Sequence, residues 1–345
     1  MPYADNRTWN GLPTFWRPGS GWTGLTEYLA YRAGVILAAV VLDRFLGDPR
    51  WLPHPVRLIG LLISAGEKAR LLPLPLKLSG ALMAAGVVAV AGLSAWGLLH
   101  LAYQGGLWWR LATETLLVYL AIAPRSLAAE ALAVDGHLRR NDLPGARARL
   151  AMIVGRDTDR LDEQGVRRAA VETVSENTVD GVLCPLFYTV LFGAVGAWVY
   201  KAASTLDSMV GCKNERYRQF GWAGARLDDL TAFLPARLAL FLVPIAAKAA
   251  GFSARDAWRV GWRDRLAHSS PNAGHGEALF AGALGVRLGG PSSYGGVVSE
   301  KPYLGGEFAP PGPEALRQSV TLLWMTTWLF TAAVVTVLAL AAAFE

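Results

Sequence analysis

The sequence predicts an all-α fold: a polytopic integral membrane protein with a short broken helical hairpin and helical connections on the cytoplasmic side. Three observations predict it. The 345-residue chain is 53% hydrophobic and has a mean hydropathy of +0.30. Only 17% of its residues are charged, against about 25% in ordinary soluble domains. Two long segments carry no formal charge, which is typical of membrane-spanning helices.

Two spans are predicted strongly. Residues 78–104 and 318–344 contain no Asp, Glu, Lys or Arg, and at 1.5 Å per residue each exceeds a hydrocarbon layer of ~30 Å. Two further spans, near residues 28–46 and 230–249, are shorter apolar runs that need the polar residues at their ends to cross a bilayer. Residues 111–123 are too short alone, which leaves the helix count open between four and six.

Residues 1–27 are polar and turn-rich and show no cleavable signal, so they are predicted to form a mobile N-terminal arm. Residues 28–345 then form a single membrane-embedded domain. Arginines crowd the connection over residues 125–180. By the positive-inside bias this connection faces the cytoplasm.

Residues 181–200 are uncharged and admit two interpretations. A single crossing fits their length, but Gly193 and Gly196 interrupt the segment and leave a short apolar run on each side. A helical hairpin over residues 181–209 that enters and leaves on one face fits as well. The hairpin would bring Glu176 and Asp207 to the same side, which a single crossing would not.

The charge balance is 33 basic against 27 acidic residues, a formal +6, with no Lys/Arg block or basic amphipathic helix. This surplus is typical of orientation charge and of affinity for an anionic substrate, so a lipid bilayer is the expected partner and nucleic acid is not. Cys184 and Cys212 lack CxxC spacing and are predicted to be reduced thiols. The lack of GxSxG and HExxH motifs argues against hydrolase and zinc chemistry.

Carboxylates recur at helical spacing just before the uncharged segment. Glu172, Glu176 and Asp180 fall at i, i+4 and i+8, so one helix face carries all three, although like charges at this spacing repel. Their helix is predicted to have its N-cap within residues 157–159. The functional interpretation is a Mg²⁺ site, because a hard cation prefers oxygen ligands. The alternative is a solvated helix face paired with Arg168.

A second polar segment follows the uncharged one. Lys201 and Thr205 lie on one side of a helix, and a lysine with hydroxyl groups suits a phosphate; the alternative for the lysine is snorkelling at the membrane interface. Asp228 and Asp229 precede an apolar helix, where acids also favour the N-terminal end of the helix dipole. His54 lies between prolines, where it could hold an anion, although a loop histidine is more often structural.

Four motifs resemble the adenosylcobinamide-phosphate synthases of cobalamin biosynthesis, the CobD/CbiB family. They read LDRFLGDPRWLPHPVRLIG, VETVSENTVDGVLCPLFY, YKAASTLDSMVGCKNERYRQFGWAGARLDDL and SSPNAGHGEALFAGALGVRLGG. The likeness is collinear over residues 38–296. The sequence departs from the family pattern in GAVGA at residues 193–197, at Cys212 and at His275-Gly276, and no charged motif residue is lost.

The resemblance implies a multi-pass enzyme of the cell (inner) membrane whose catalytic domain is residues 28–345 and whose active site faces the cytoplasm. The enzyme would join the propionate carboxylate of adenosylcobyric acid to the amine of (R)-1-aminopropan-2-ol or its O-phosphate, with ATP and Mg²⁺ as cofactors. Other cobalamin-pathway enzymes and a second copy of the chain stay open as partners. A membrane corrinoid transporter and a scaffold for the pathway are the alternatives.

Roles follow from residue chemistry at the motif positions. The catalytic candidates are Glu172, Glu176, Asp207 and Lys213. The metal candidates are Glu176, Asp180, Asp228 and Asp229. The substrate and phosphate candidates are His54, Arg57, Asn177, Lys201, Thr205, Asn214, Arg216, Arg237, Ser270 and Asn272.

Overall fold

A computed structural model describes residues 24–48, 54–211, 214–268 and 270–344, which are helical over most of their length. The helices are α1 (Leu25–Leu46), α2 (Pro55–Gly66), α3 (Leu76–Gln104), α4 (Leu107–Ala121), α5 (Pro124–Arg139), α6 (Leu143–Leu150), α7 (Glu163–Thr178), α8 (Cys184–Val210), α9 (Trp222–Thr231), α10 (Phe233–Ala249), α11 (Ala254–Asp264), α12 (Ala273–Leu284) and α13 (Ala315–Ala343). A 3₁₀ turn, Glu67–Leu71, follows α2, and a π-helical turn, Val179–Leu183, joins α7 to α8.

Four short strands form two antiparallel pairs after α12. β1 (Leu288–Gly289) pairs with β4 (Tyr303–Leu304), and β2 (Ser292–Tyr294) pairs with β3 (Val297–Ser299). These strands interrupt an otherwise helical chain, and β1 packs against α7 and α12. The all-α fold class predicted from the sequence is confirmed.

Four helical segments within the described residues are long and apolar enough to cross a membrane, and a bent pair reaches that length together. The four are Leu76–Gln104, Leu107–Arg139, Glu163–Val210 and Ala315–Ala343. The second joins α4 to α5, so the apolar segment that is too short alone lies within a 33-residue helical stretch. The polytopic architecture predicted from the apolar segments is therefore present.

The bent pair is α9 with α10, which meet at 41°. Pro235 lies in the first turn of α10, where a backbone N–H would have no acceptor within the helix. The apolar helix predicted from residue 230 is thus divided near its start. At the other end of the chain, α1 begins at Leu25, while residues 1–23 of the predicted arm lie outside the described residues.

The start of α7 differs from the prediction. Asp162 is the N-cap, and its Oδ1 accepts a hydrogen bond from the Gly165 N–H at 2.7 Å. Asp157 instead accepts hydrogen bonds from the backbone N–H groups of Gly295 and Gly296, at 2.9 and 2.8 Å, in the turn between β2 and β3. The cap predicted within residues 157–159 was wrong because this carboxylate holds a turn that is distant in sequence.

The broken hairpin lies within α8, where Gly193 has φ +65° and ψ −160°. The rings of Tyr188 and Tyr200 stack with centroids 5.6 Å apart. Twelve residues of straight helix would separate them by about 18 Å, so the chain reverses direction between them. The hairpin interpretation is confirmed and the single crossing was wrong, although residues 163–210 look like one long apolar helix by length and composition.

Glu114 of α4 holds the tip of this hairpin. Its Oε1 accepts hydrogen bonds from Arg32 Nη1 at 2.6 Å and from the Ala194 N–H at 3.2 Å, and its Oε2 accepts one from the Tyr31 hydroxyl at 2.6 Å. A Cβ on Gly193 would overlap both Arg32 and Glu114. Glycine is therefore required here both by the positive φ and by the close approach of the ion pair.

The remaining packing brings both arms of the hairpin to the other polar elements. α8 packs against α3, α4 and α9, while α7 packs against α5, α12 and α13. Cys184, at the start of α8, is a buried free thiol, and Cys212 lies outside the described residues. The end of the hairpin opposite Gly193 thus lies next to α9, α12 and the strands.

Candidate functional site

Four carboxyl groups from separate elements meet at the open end of the hairpin. Glu176 lies in α7, Asp180 in the π-helical turn, Asp207 at the end of α8 and Asp228 in α9. Each is close enough to others of the set to interact electrostatically. We call Glu176, Asp180, Asp207 and Asp228 the acidic cluster.

The π-helical turn contributes to this arrangement. A π turn inserts an extra residue into a helix and recurs at functional sites. Here it begins at Val179, after Glu176, and contains Asp180, which the sequence places one α-helical turn from Glu176. The turn leads into α8, whose chain reverses direction at Gly193. The second arm of α8 therefore brings Asp207 back to the end of the hairpin where Glu176 and Asp180 lie.

Two oxygens of the acidic cluster lack a hydrogen-bond partner. Asp180 Oδ1 and Asp228 Oδ1 are both buried and accept no hydrogen bond from any described residue. A buried carboxylate oxygen without a donor is costly unless a cation or a ligand satisfies it. Carboxylate oxygens with unused lone pairs fit Mg²⁺, which binds one or two carboxylates and fills its remaining coordination positions with water and phosphate oxygens. The described residues contain no group of three or more His, Cys, Asp or Glu arranged to hold a metal by themselves.

Asp229, the fourth metal candidate, makes different contacts. Its carboxylate lies 3.6 Å from Arg226 Nη1. Its backbone carbonyl accepts a hydrogen bond from Asn272 Nδ2 at 2.8 Å. Asp229 therefore joins α9 to the loop before α12, while its neighbour Asp228 interacts with Asp207 and Glu176.

Glu172 is buried and its carboxylate is already occupied. Arg156 Nη2 lies 2.5 Å from Oε2, and the Gly289 N–H donates to Oε1 at 2.7 Å. These contacts tie α7 to the segment before it and to β1. A carboxylate satisfied by a guanidinium and a backbone donor is suited to anchoring these elements and poorly suited to accepting a proton.

Three charged residues that sequence reasoning did not select lie beside this anchor. Glu277 of α12 interacts with Glu172 and Glu176, and Lys301 and Arg156 are their cationic neighbours. Burial, followed by the nearby charges of Glu172 and Glu176, raises the pKa of Glu277 well above its usual range. Glu277 lies in the SSPNAGHGEALF motif and could have been selected there. Lys301 is brought near Glu176 and Glu277 by the pairing of short strands, which no residue spacing in the sequence predicts.

The loop before α12 is fastened to α10. Arg237 Nη1 donates to Asn272 Oδ1 at 2.7 Å and to the Phe233 carbonyl at 3.0 Å. The Ser270 hydroxyl accepts hydrogen bonds from the N–H groups of Asn272 and Ala273. Arg237 was predicted to bind a phosphate or carboxylate, and Ser270 and Asn272 were predicted to orient substrate. In the structure these residues hold the loop against α10, the helix that follows the acidic cluster.

Lys201 connects the acidic cluster to a separate cavity. Its ammonium group interacts electrostatically with Asp180 of the cluster and with Asp48, which follows α1. Lys201 also lines a cavity of 620 Å³ together with Asp48, His54, Arg57 and Ser126. The structure thus brings together three predicted substrate residues, His54, Arg57 and Lys201, from two distant motifs.

The other predicted residues make local contacts. The amide of Asn177 and the hydroxyl of Thr205 donate to the carbonyls four residues before them, at 3.0 and 2.7 Å. Asn214 Oδ1 accepts a hydrogen bond from the Tyr217 N–H at 3.0 Å. Arg216 Nη2 lies 2.6 Å from Glu67 Oε2, which occupies the guanidinium expected to bind phosphate. Lys213 lies outside the described residues.

Comparison with known proteins gives a consistent result. A family model described as "CobD/Cbib protein" matches residues 36–323. The chain is 45% identical over 298 residues to "Cobalamin biosynthesis protein CobD" of Pelobacter propionicus, covering 85% of this chain and 91% of that protein. It is 48% identical over 292 residues to the protein of the same name from Geobacter metallireducens, covering 84% and 92%. No solved structure gives a significant match.

A third relative carries the other family name. "Cobalamin biosynthesis protein CbiB" of Salmonella typhimurium is 44% identical over 296 residues, which cover 84% of this chain and 92% of that protein. The matched region runs from α1 into α13 and includes the acidic cluster, the hairpin and the cavity at Lys201. The similarity therefore extends over the whole candidate site.

Proposed function

The chain belongs to the CobD/CbiB family of cobalamin biosynthesis proteins, and from this premise we propose that it is an amide-forming ligase of that pathway. It joins adenosylcobyric acid to (R)-1-aminopropan-2-ol or its O-phosphate in an ATP-dependent reaction and gives adenosylcobinamide or its phosphate. The observation that carries the proposal is the acidic cluster, in which two buried carboxylate oxygens near Lys201 accept no hydrogen bond from the part of the chain that the structure describes.

The reaction defines what the site has to do. A free carboxylate does not form an amide at neutral pH until an oxygen is converted into a leaving group, and ATP with Mg²⁺ supplies that conversion through an acyl phosphate. The amine nitrogen then forms the C–N bond, phosphate leaves, and the ammonium proton passes to a base. The protein has to neutralise phosphate charge, orient two substrates and accept a proton.

The described residues fit these tasks by position and charge. Asp180 and Asp228 would hold Mg²⁺ through their unpartnered oxygens, with Glu176 and Asp207 beside them. Lys201 faces Asp180 of the cluster and is suited to a phosphate oxygen. Glu176 is a better candidate for the base than Glu172, because Arg156 and Gly289 already occupy the carboxylate of Glu172.

The site lies at the end of the apolar hairpin opposite its tip, which supports a position at the membrane boundary. The connection over α5, α6 and the start of α7 is rich in arginine, which supports a cytoplasmic orientation in the inner membrane. ATP and the corrinoid would then reach the acidic cluster from the cytosol.

The test is a product assay with the purified full-length protein in detergent. Adenosylcobyric acid, aminopropanol phosphate and Mg-ATP are supplied, and the condensed product is measured by mass. The ligase function predicts product only when all three components, including ATP, are present. A transporter predicts corrinoid flux across vesicles without condensation, and a scaffold predicts product only when another pathway enzyme is added; either result would refute the ligase function.

A further inference from the structure

The cavity at Lys201 is chemically different from the acidic cluster. Its 620 Å³ are lined by charged and polar groups together with the apolar side chains of Val56, Leu120, Ala123 and Met152. The charged and polar lining residues are Asp48, His54, Arg57, Ser126, Glu130 and Lys201. The lining contains both signs of charge, whereas the acidic cluster is dominated by one.

The cations of this cavity are available to a ligand. Among the described residues, neither Lys201 nor Arg57 forms an ion pair, and the Arg57 side chain is exposed. Glu130 is engaged through Oε1 by Arg149 Nη2 at 2.7 Å, while its Oε2 is buried without a hydrogen-bond partner. The lining therefore offers two cations that make no direct ion pair with a described residue, although Asp48 and Asp180 lie near Lys201, and one carboxylate oxygen without a described donor.

Asp48 is held in place by two neighbours. The Ser126 hydroxyl donates to Oδ2 at 2.7 Å, and His54 Nε2 lies 3.5 Å from Oδ1. His54 Nδ1 accepts the Val56 N–H as the N-cap of α2, so the ring proton lies on Nε2 and faces Asp48. Burial favours the neutral carboxyl, but the nearby His54 ring, the hydrogen bond from Ser126 and the charge of Lys201 outweigh it and lower the pKa of Asp48. Asp48 Oδ1 itself accepts no hydrogen bond from a described residue. Asp48 is thus an oriented anion, and His54 is its positioning residue.

We propose that this cavity is the binding subsite for the amine substrate: Asp48 binds the ammonium group, and Lys201 and Arg57 bind the anionic group at the other end of the same small molecule. A lining with both signs of charge fits a small zwitterion, whereas a nucleoside triphosphate carries several negative charges and would lie against Asp48 and Glu130. The assignment rests on the ligase function proposed above.

The position of Lys201 connects the two subsites. Because Lys201 interacts with both Asp48 and Asp180, the amine subsite adjoins the acidic cluster where the carboxylate would be activated. Amine binding would give a function to Asp48 and His54, which the acidic cluster alone does not explain.

The test measures binding instead of turnover. Isothermal titration of the full-length protein in detergent uses aminopropanol phosphate and, separately, Mg-AMP-PNP, with adenosylcobyric acid present throughout. Asp48→Asn, Lys201→Met and Arg57→Gln should each weaken binding of aminopropanol phosphate about tenfold or more, as expected for the loss of a charge-assisted contact. Asp48→Asn and Arg57→Gln should leave the affinity for Mg-AMP-PNP within about twofold.

Exposed residues of the same types serve as matched controls. Asp159→Asn and Lys248→Met should leave both affinities unchanged. Arg57 is exposed, so its variant stays informative if Lys201→Met fails to fold.

Two results would overturn the assignment. The first is a loss of Mg-AMP-PNP binding in Asp48→Asn and Arg57→Gln with amine binding intact, which would make this the nucleotide site. The second is an absence of amine binding by the wild type under any of these conditions. Either result leaves the ligase function to be judged by the product assay, because condensation in that assay does not depend on which cavity holds the amine.

Discussion

Both ends of the hairpin contain buried carboxylate oxygens, but the two ends differ in whether these oxygens accept hydrogen bonds. At the tip, Glu114 receives three donors, from Arg32, Tyr31 and the Ala194 N–H. At the open end, Asp180 and Asp228 each keep a buried oxygen with no donor among the described residues. A satisfied buried charge holds elements together, whereas an unsatisfied one costs stability and is retained for another reason.

This difference distinguishes structural acids from candidate functional acids better than sequence position does. Glu114 and Asp180 both lie in or beside apolar helices, and both could be taken for functional residues because charge is rare there. Only the contacts distinguish them. Glu172 belongs with Glu114, since Arg156 and the Gly289 N–H occupy both of its oxygens, although its spacing groups it with Glu176 and Asp180.

The largest expected effect is at the tip. Glu114→Ala leaves the Arg32 guanidinium buried without its anion and should destabilise the protein by about 3–5 kcal/mol in SDS-induced unfolding from mixed micelles. The double variant Arg32→Met with Glu114→Leu removes both charges and should be more stable than Glu114→Ala. If Glu114→Ala abolished product formation at unchanged stability, the tip would be a functional site, and the proposed difference in role between the two ends would be wrong.

At the open end the effect should fall on activity. Asp180→Asn keeps the size of the side chain but removes the charge that the proposed site uses, so kcat for condensation should fall about 10²-fold. Unfolding stability should stay equal or rise, because repulsion within the acidic cluster is relieved. Asp159→Asn, at an exposed position, is the control. A marked loss of stability in Asp180→Asn with normal kcat would show that Asp180 is structural.

Sequence reasoning reached the hairpin and most of the cluster because both leave local signals. Glycines interrupted an uncharged run, and acids recurred at helical spacing on either side of it. Lys301 was not selected because it lies in the connection between β3 and β4, and β4 pairs with β1, which packs on α7. Glu277 lies in a quoted motif, but its proximity to Glu172 and Glu176 depends on the packing of α12 against α7. Sequence reasoning also selected Arg216, whose pairing with Glu67 joins residues 149 positions apart, and nothing in the local sequence reports that.

His275, which lies outside the candidate membrane spans, is also a buried ionisable group that lacks a hydrogen-bond partner among the described residues. Both ring nitrogens are buried and have no hydrogen-bond partner in the part of the chain that the structure describes. Burial, with Arg237 and Arg265 nearby, lowers the pKa of His275 to about 4. The folded state holds the ring neutral, so the contribution of His275 to the unfolding free energy is full above its unfolded-state pKa near 6.5. This contribution is lost as the pH falls toward the folded-state pKa of about 4, because the unfolded state takes up the proton first. Wild type should lose about 2 kcal/mol of this stability between pH 7.5 and 5.

The measurement compares wild type with His275→Gln in the same micelles across this pH range. The variant has no ionisable ring and should show a correspondingly smaller loss of stability on acidification. Equal slopes for the two proteins would mean that His275 is not held neutral by its surroundings.

The smallest expected effect concerns the start of α7, which carries Glu172 and Glu176 toward the open end. Asp162→Ala removes the hydrogen bond from the Gly165 N–H and should cost about 1 kcal/mol of unfolding free energy. Because the cap lies more than three helical turns before Glu176, kcat should stay near the wild-type value. Asp162→Asn, which can still accept the hydrogen bond, should recover most of the stability. A fall in kcat as large as that of Asp180→Asn would show that the acidic cluster depends on the far end of its helix, and that stability and activity at the two ends of the hairpin are not separable.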